Sequence, residues 1–290
     1  MVVPVVYDSH MHTPLCKHAR GAPEDYAVVA ERLGLKGIIF TCHNPGPEGW
    51  STNVRMSMQE LSTYVKMVEQ ARQKWNGRID IRLGLESDYI PGIEPFLEKL
   101  HASAPFHYIL GSVHPQLNYY KEIYYKGNVH HYQKIYFENL ALSAESGLFD
   151  CLAHPDLIKN LFPRKWDWIL LMEDIQAALD RIAKTGVAME VNTSGAIKTL
   201  KEIHPMPVML LEMKKRNIPV VLGSDAHSPE RVGADFLTAL DLLAETGYKE
   251  ISYFRNRERR TIPIIVARQS LRTSVPAALL SQTSKPHISY

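Results

Sequence analysis

The sequence predicts an α/β fold, built as successive strand–helix units around a parallel sheet. Two observations carry this. Short apolar runs rich in Val, Ile, Leu and Phe alternate with stretches of helical spacing along about 255 residues, the pattern of a parallel sheet with crossover helices. Nearly every apolar run also ends in histidine, aspartate or glutamate, as expected where the carboxyl ends of parallel strands build a site. Seven or eight such units fit a closed β/α barrel better than an open sheet, which this pattern alone leaves open.

The elements follow in order. The first run is VVPVVYDSH (2–10), and it leads into "DSHMHTPLCKHA". PEDYAVVAERLG (23–34) reads as a helix, with Pro23 at its start and Gly34 at its end. GIIFTCH (37–43) is the second strand run. SMQELSTYVKMVEQARQKW (57–75) reads as a helix with Ser57 and Glu60 spaced as a capping box. IDIRLGLES (79–87), HYILGSVH (107–114), FDCLAH (149–154), VAMEVN (187–192) and PVVLGSDAH (219–227) supply further strands, and EISYFR (250–255) is a weaker eighth run. Helices are expected over 93–102, 129–146, 168–185, 206–216 and 235–246. No polar linker divides the chain, so residues 1–268 read as one domain. The Ser-, Thr- and Pro-rich stretch 269–290 reads as a poorly ordered polar tail.

Composition excludes several classes. The net charge of +2 argues against nucleic-acid and membrane-surface partners. No run of about 18 apolar residues suggests a membrane span, and the N-terminus lacks the features of a signal peptide. The three cysteines, Cys16, Cys42 and Cys151, are too few for a disulfide framework and suit a reducing cytoplasm. They read as small residues filling strand ends. Nothing in the sequence points to an oligomeric state.

The polar residues at the strand ends are Asp8, His10 and His12, then His43, Glu86 and Asp88, His114, His154, Glu190 and Asn192, and finally Asp225 and His227. Side chains two apart share a strand face, so His10 pairs with His12, Glu86 with Asp88, and Asp225 with His227. Cys42 points away from His43. Neutral imidazoles with few carboxylates form a borderline-soft N/O donor set, suited to Zn, Fe or Mn rather than Ca or Mg. Seven histidines, His18 included, with Glu86 and Asp225 are too many donors for one tetrahedral ion. They suit two or three divalent ions if Glu86 bridges. His101, His107, His130, His131, His204 and His287 fall elsewhere and read as structural or surface residues.

The motifs "DSHMHT", "CKHA", "TCHNP", "GLESDY", "GSVH", "LAHPD", "EVNTSG" and "LGSDAH" resemble those of the polymerase-and-histidinol-phosphatase (PHP) superfamily, most closely its histidinol-phosphate phosphatase type, over roughly residues 5–260. The resemblance implies a distorted (β/α)7 barrel with a trinuclear metal site at the C-terminal ends of the strands. By motif position, one metal takes His10, His12, Glu86 and Asp225. A second shares Glu86 and adds His114 and His154, and a third takes His18, His43 and His227. Asp8 is then expected to orient a ligand histidine. Proteins of this type carry an arginine two residues after the N-T-S-G turn to bind the substrate phosphate, whereas this chain has Ile197, followed by Lys198.

The activity implied is metal-dependent hydrolysis of a small phosphate monoester, best represented by L-histidinol phosphate, through a metal-bridging hydroxide. Three divalent ions, less two carboxylates and one hydroxide, leave about three positive charges to hold a phosphate dianion. Neither a G-x-S-x-G motif nor a P-loop offers another mechanism. Glu86, Asp225 and His227 are the candidate catalytic residues; the proton for the leaving alkoxide comes from Asp225, His227 or a metal-bound water, among which the sequence does not decide. Arg20, Lys159, Arg164 and Lys198 are the candidates for holding the substrate. The alternative is a PHP-type phosphodiesterase or exonuclease, which would need a basic and partly aromatic groove. The tyrosines at 119–125 and the run "RNRERR" (255–260) are the features that hint at one.

Overall fold

A computed structural model describes residues 3–47 and 50–271. Residues 272–290, the greater part of the expected tail, lie outside the described residues, as does His287.

Among the described residues nine strands form one sheet in chain order: β1 (Tyr7–Asp8), β2 (Gly37–Phe40), β3 (Asp80–Asp88), β4 (Tyr108–Ser112), β5 (Cys151–Leu152), β6 (Ala188–Asn192), β7 (Val220–Gly223), β8 (Glu250–Arg255) and β9 (Glu258–Pro263). Each neighbouring pair from β1 to β8 is parallel, and β8 and β9 form an antiparallel hairpin. Crossovers are made by α1 (Pro23–Leu33), α2 (Leu61–Lys74), α3 (Glu94–His101), α4 (Asn118–Tyr124) with α5 (Val129–Glu145), α6 (Met172–Thr185), α7 (Pro207–Lys215) and α8 (Phe236–Glu245), and α9 (Ile264–Ser270) follows β9. None of these helices is long and apolar enough to cross a membrane.

The sheet curls on itself. The continuation of β1 is hydrogen-bonded to β7 and beyond: Ser9 N–H donates to the Leu222 carbonyl (3.1 Å) and His12 N–H to that of Ala226 (2.9 Å), and Met11 bridges Ala226 in parallel register. A compact apolar cluster takes Tyr7, Ile39, Tyr108, Cys151, Ala188, Val221 and Phe254 from β1, β2 and β4–β8. A flat sheet would spread these strands apart; curling gathers them. The larger core lies between the sheet and the surrounding helices.

Local signals set most boundaries. Helix α1 begins at Pro23, which needs no N–H there, and ends at Gly34 with φ 73°, a left-handed turn that glycine adopts without strain. The capping box forms, since Ser57 N–H donates to Glu60 Oε2 (2.8 Å) and Glu60 N–H to Ser57 Oγ (3.3 Å). The α-helix itself starts only at Leu61, after a turn. Helix α6 starts at Met172 rather than 168, because Asp167 Oδ1 caps the preceding turn by accepting from Ile169 N–H (3.0 Å).

Four expectations change. The first apolar run forms a strand over Tyr7–Asp8 alone. The expected tail begins inside helix α9, whose Ser270 is buried. The tyrosine-rich stretch after β4 is the short helix α4. The basic run 255–260 forms the β8–β9 turn, where Arg257 N–H donates to the His107 carbonyl (2.9 Å) just before β4, at the end of the sheet opposite the polar strand ends.

Candidate metal centre

The strand ends converge. Glu86 lies on β3, His114 and His154 lie two residues beyond β4 and β5, and Asp225 lies two beyond β7. Glu86, fully buried, stands at the centre. Its Oε2 faces His10 Nε2 (3.4 Å), His12 Nε2 (3.6 Å) and His43 Nδ1 (2.8 Å). Its Oε1 faces His154 Nε2 (3.1 Å) and His114 Nε2 (3.4 Å). The two oxygens thus look onto two separate groups of nitrogens. Asp225 Oδ1 lies 3.1 Å from His12 Nε2, 3.5 Å from His10 Nε2 and 3.4 Å from His227 Nδ1. His18, exposed at the rim, stacks on His227 with ring centroids 4.6 Å apart and sits 5.5 Å from His43.

Donor atoms within each of the sets His10/His12/Glu86, His43/Glu86/His114, His12/His43/His227 and Cys16/His18/His227 lie within 4.8 Å of one another. Hydrogen bonding alone leaves this cluster unsatisfied. His10 and His12 face each other through Nε2 at 3.1 Å. His12 Nδ1, His43 Nδ1, His154 Nδ1, His227 Nε2 and Glu86 Oε2 are buried without a hydrogen-bond partner. His43 Nδ1 and Glu86 Oε2 are close but off the hydrogen-bond line. Buried polar atoms are normally paired, so the unpaired His43 Nδ1 and Glu86 Oε2, with the Nε2 atoms of His10 and His12 gathered beside them, fit a divalent cation.

Electrostatics agree. Burial disfavours a charged His12, yet its bond to Asp225 and the charge of Glu86 lift it to about 9. Burial also opposes a charged His10, but Glu190, Asp225 and Glu86 raise it well above the ordinary histidine value. By contrast, burial takes His43 down to about 4 and His227 to about 3. The buried carboxylates demand positive charge at the centre, and protons or metal cations can supply it.

The residue that orients His10 is Glu190, not Asp8. Glu190 Oε1 accepts from His10 Nδ1–H at 2.7 Å, and its Oε2 accepts from His154 N–H (2.8 Å) and Asn192 Nδ2–H (2.9 Å). Asp8 accepts instead from the backbone of His10 (3.3 Å), Ser224 (3.0 Å) and Gly233 (2.8 Å), and from the Ser224 hydroxyl. It ties the first loop to the last and does not touch the imidazole. Asp88 does for His114 what Glu190 does for His10, accepting from Nδ1–H at 2.7 Å. His154 and Asp225 have positive φ, 25° and 51°, and such uncommon backbone conformations gather at functional sites.

The four basic candidates separate. Lys198 Nζ lies 3.5 Å from Asp225 Oδ2, which also accepts from Ser194 Oγ–H (2.9 Å). Arg20 is exposed at the rim and donates to Glu230 (3.1 Å). Arg164 is exposed on the turn Pro163–Lys165. Lys159 is fully buried, and its ammonium donates to Asp156 (2.9 Å), Glu202 (2.9 Å) and the Ile203 carbonyl (2.8 Å). An ammonium has three hydrogens and all are used, so Lys159 is a structural residue and not a substrate contact. Asp156 also holds the ring of His204, a structural residue as expected.

Sequence reasoning gave no role to Ser194, to Arg55 or to the orienting pair Glu190 and Asp88. Glu190 and Asp88 were visible as polar strand-end residues; Arg55 lies in a loop with no periodic signal. Cys16, read as a space-filler, has its sulfur beside His18 and His227.

A curled, mostly parallel sheet carrying this histidine–carboxylate cluster defines a class of metal-dependent hydrolase, and comparison with known proteins gives the family. Residues 8–194 match the PHP domain, and the chain belongs to that family. It is 36% identical over 260 residues to a Deinococcus radiodurans protein named "Probable histidinol-phosphatase", an alignment covering 87% of this chain and 97% of the relative. It is 28% identical over 260 residues to the histidinol-phosphatase of Bacillus subtilis, covering 78% and 95%. The fold is shared with the crystal structure of histidinol phosphate phosphatase from Lactococcus lactis subsp. lactis, complexed with Zn, L-histidinol and phosphate. That similarity has a TM-score of 0.74 at 19% identity and covers 88% of this chain and 98% of that one.

Proposed function

We propose that this chain is a metal-dependent phosphatase that hydrolyses L-histidinol phosphate to L-histidinol and phosphate. The observation that carries the reading is Glu86, whose two buried oxygens face imidazole nitrogens on both sides. The named relatives, with coverage of nearly their whole length, support the substrate.

The ligand set of this reading is His10, His12, Glu86 and Asp225 for one ion, Glu86, His114 and His154 for a second, and His18, His43 and His227 for a third. The donors suit Zn, Fe or Mn. When bound, such ions neutralise phosphoryl oxygens and make water acidic enough to attack at neutral pH. The protein's own part is placement. Glu190 and Asp88 hold the Nδ1–H of His10 and His114, so each Nε2 keeps its lone pair facing Glu86. Ser194 holds Asp225 Oδ2, leaving Oδ1 to the histidines. Lys198, about a third exposed beside Asp225, offers a cation to the substrate phosphate from the position following the one where the family type carries arginine. Arg20, at the rim, is a second such cation. Asp225 and His227 are the side chains offered as proton sources for the leaving alkoxide in this reading.

The reading includes closure of β1–β7 into a distorted barrel, supported by the bonds from Ser9 and His12 to Leu222 and Ala226. It takes residues 1–268 as one catalytic unit. It includes a cytoplasmic location, supported by three free thiols. The nuclease alternative loses its motivating features. The basic run lies at the far end of the sheet, Tyr120 is buried, and Tyr119 stacks on Trp50 at 4.0 Å.

The test is a substrate panel of histidinol phosphate, p-nitrophenyl phosphate and bis-p-nitrophenyl phosphate, with metal analysis. Monoester turnover, greatest kcat/KM on histidinol phosphate and at least two bound ions are expected. Preference for the diester would overturn the reading. Glu86→Ala should abolish turnover and lower metal content together; a retained rate would remove the bridging role.

A further inference from the structure

Asp88 is fully buried and its carboxylate is saturated with donors. Its Oδ1 accepts from His114 Nδ1–H (2.7 Å) and Ser112 Oγ–H (3.3 Å), and its Oδ2 from Arg55 and from Tyr119 Oη–H (2.7 Å). Four donors fill the four lone-pair sites of a carboxylate. The two donors on Oδ2 come from outside β3. Arg55, 2% exposed, lies in the loop after β2, and its second terminal nitrogen donates to both the carbonyl and the side-chain oxygen of Asn44 (3.1 Å each). Asn44 follows His43 and accepts from Asp88 N–H (3.1 Å). Tyr119 lies on α4, after β4, and its ring stacks on Trp50 of the β2 loop with an interplanar angle of 11°.

We infer that Arg55 and Tyr119 are positioning residues that clamp the Asp88 carboxylate and so fix His114 with its Nε2 lone pair facing Glu86, tying the loops after β2 and β4 to the retention of one particular metal ion. An ionised carboxylate only accepts, so the imidazole nitrogen against it carries the hydrogen and the far nitrogen is the donor atom. That far nitrogen stands 3.4 Å from Glu86 Oε1, with lone pairs face to face, an arrangement suited to an ion between them. Without the two donors on Oδ2, the Asp88 carboxylate is free to turn about its own bond and His114 loses its fixed direction. His10 has a different holder, Glu190, so the ion that uses His10 lies outside the clamp; Arg55 also holds Asn44 beside His43, so Tyr119→Phe is the variant that isolates the His114 ion. The inference rests on His114 being a ligand, as proposed above.

The experiment uses the full-length zinc-loaded protein, with ions counted by native mass spectrometry during titration with a chelator. Compared are the wild type, Tyr119→Phe, Arg55→Met, Arg55→Lys and His114→Ala. Tyr119→Phe should release one ion at chelator concentrations about 10–100-fold lower than wild type, with the other ions unmoved; Arg55→Met should release the same ion at least as readily, with Arg55→Lys in between. His114→Ala should lack that ion outright. If His114→Ala loses its ion while Tyr119→Phe and Arg55→Met hold all of theirs as the wild type does, the clamp is refuted and the ligand reading stands. If His114→Ala keeps every ion, the ligand reading itself fails. Loss of all ions together, with a lowered melting temperature, would assign Arg55 and Tyr119 to general stability and refute the positioning role.

Discussion

Replacing Glu190 by glutamine changes no volume, but the structure predicts a large loss. Glu190 is 1% exposed and meets three donors: His10 Nδ1–H on Oε1, and His154 N–H and Asn192 Nδ2–H on Oε2. A carboxylate accepts at both oxygens; an amide accepts at one and donates at the other. With the glutamine oxygen toward His10, the NH2 points at two N–H donors. With it the other way, the NH2 faces His10 Nδ1, which must give up its hydrogen to Nε2 and lose the lone pair there. In the first orientation two N–H donors lose their acceptor, in the second Nε2 loses the lone pair that faces Glu86, and in both the charge assistance at His10 is gone, a loss of about 1.5–3 kcal/mol. Since about 1.4 kcal/mol is tenfold, zinc affinity at the His10 position should fall about 10- to 100-fold, and kcat/KM on histidinol phosphate with it. Competition with a chromophoric chelator measures the first and steady-state kinetics the second. A Glu190→Gln protein within about twofold of wild type in both would refute the assignment of Glu190 as the residue that orients His10.

Further outcomes follow from the same geometry. At Gly223 an added Cβ would lie 2.0 Å from Glu190 Oε1 and 2.7 Å from His10 Cβ, so Gly223→Ala should cost about 1–3 kcal/mol and reduce bound zinc. A thermal melt and metal analysis matching wild type would contradict this. Lys198→Ala should raise KM for phosphate monoesters about tenfold with a smaller change in kcat, as for a contact made equally in ground and transition states; an unchanged KM would remove it from the substrate site. Burial, then the nearby Arg257 charge, lowers His101 to about 4, while its Nε2 meets Ser87 Oγ at 2.9 Å. The unfolded chain, titrating near 6.5, therefore takes the proton first, so stability is full above pH 6.5 and falls as pH drops toward 4. Urea unfolding should show about 2 kcal/mol of this loss between pH 7 and pH 5, reduced in His101→Gln. Equal pH slopes in the two proteins would count against it.

Reading the chain from residues alone succeeded where the signal is local. A strand's period of two places Glu86 with Asp88 whatever lies beside them. Pro23 and Gly34 bound α1 through their own backbone geometry. The recurrence of histidine at run ends located the cluster because parallel strands all end at one face. Helix α4 escaped because seven residues with four tyrosines or isoleucines carry little helical period. Strand β9 escaped because its alternation is hidden under exposed charge.

Which carboxylate serves which imidazole was beyond local reading. Asp8 and Glu190 are both acids near the ends of apolar runs, and Asp8 is the nearer to His10 in sequence. Yet Glu190, 180 positions away, takes the ring, because the curled sheet brings the end of β6 against the segment after β1. Lys159, itself a candidate for holding the substrate, turns inward to Asp156 and Glu202. Sequence determined the donor atoms on offer and the face they share, since both follow from covalent spacing and strand period. Tertiary structure decided the pairing, because a hydrogen bond selects its partner by distance and direction in space, and those are set only when strands far apart in the chain come into register.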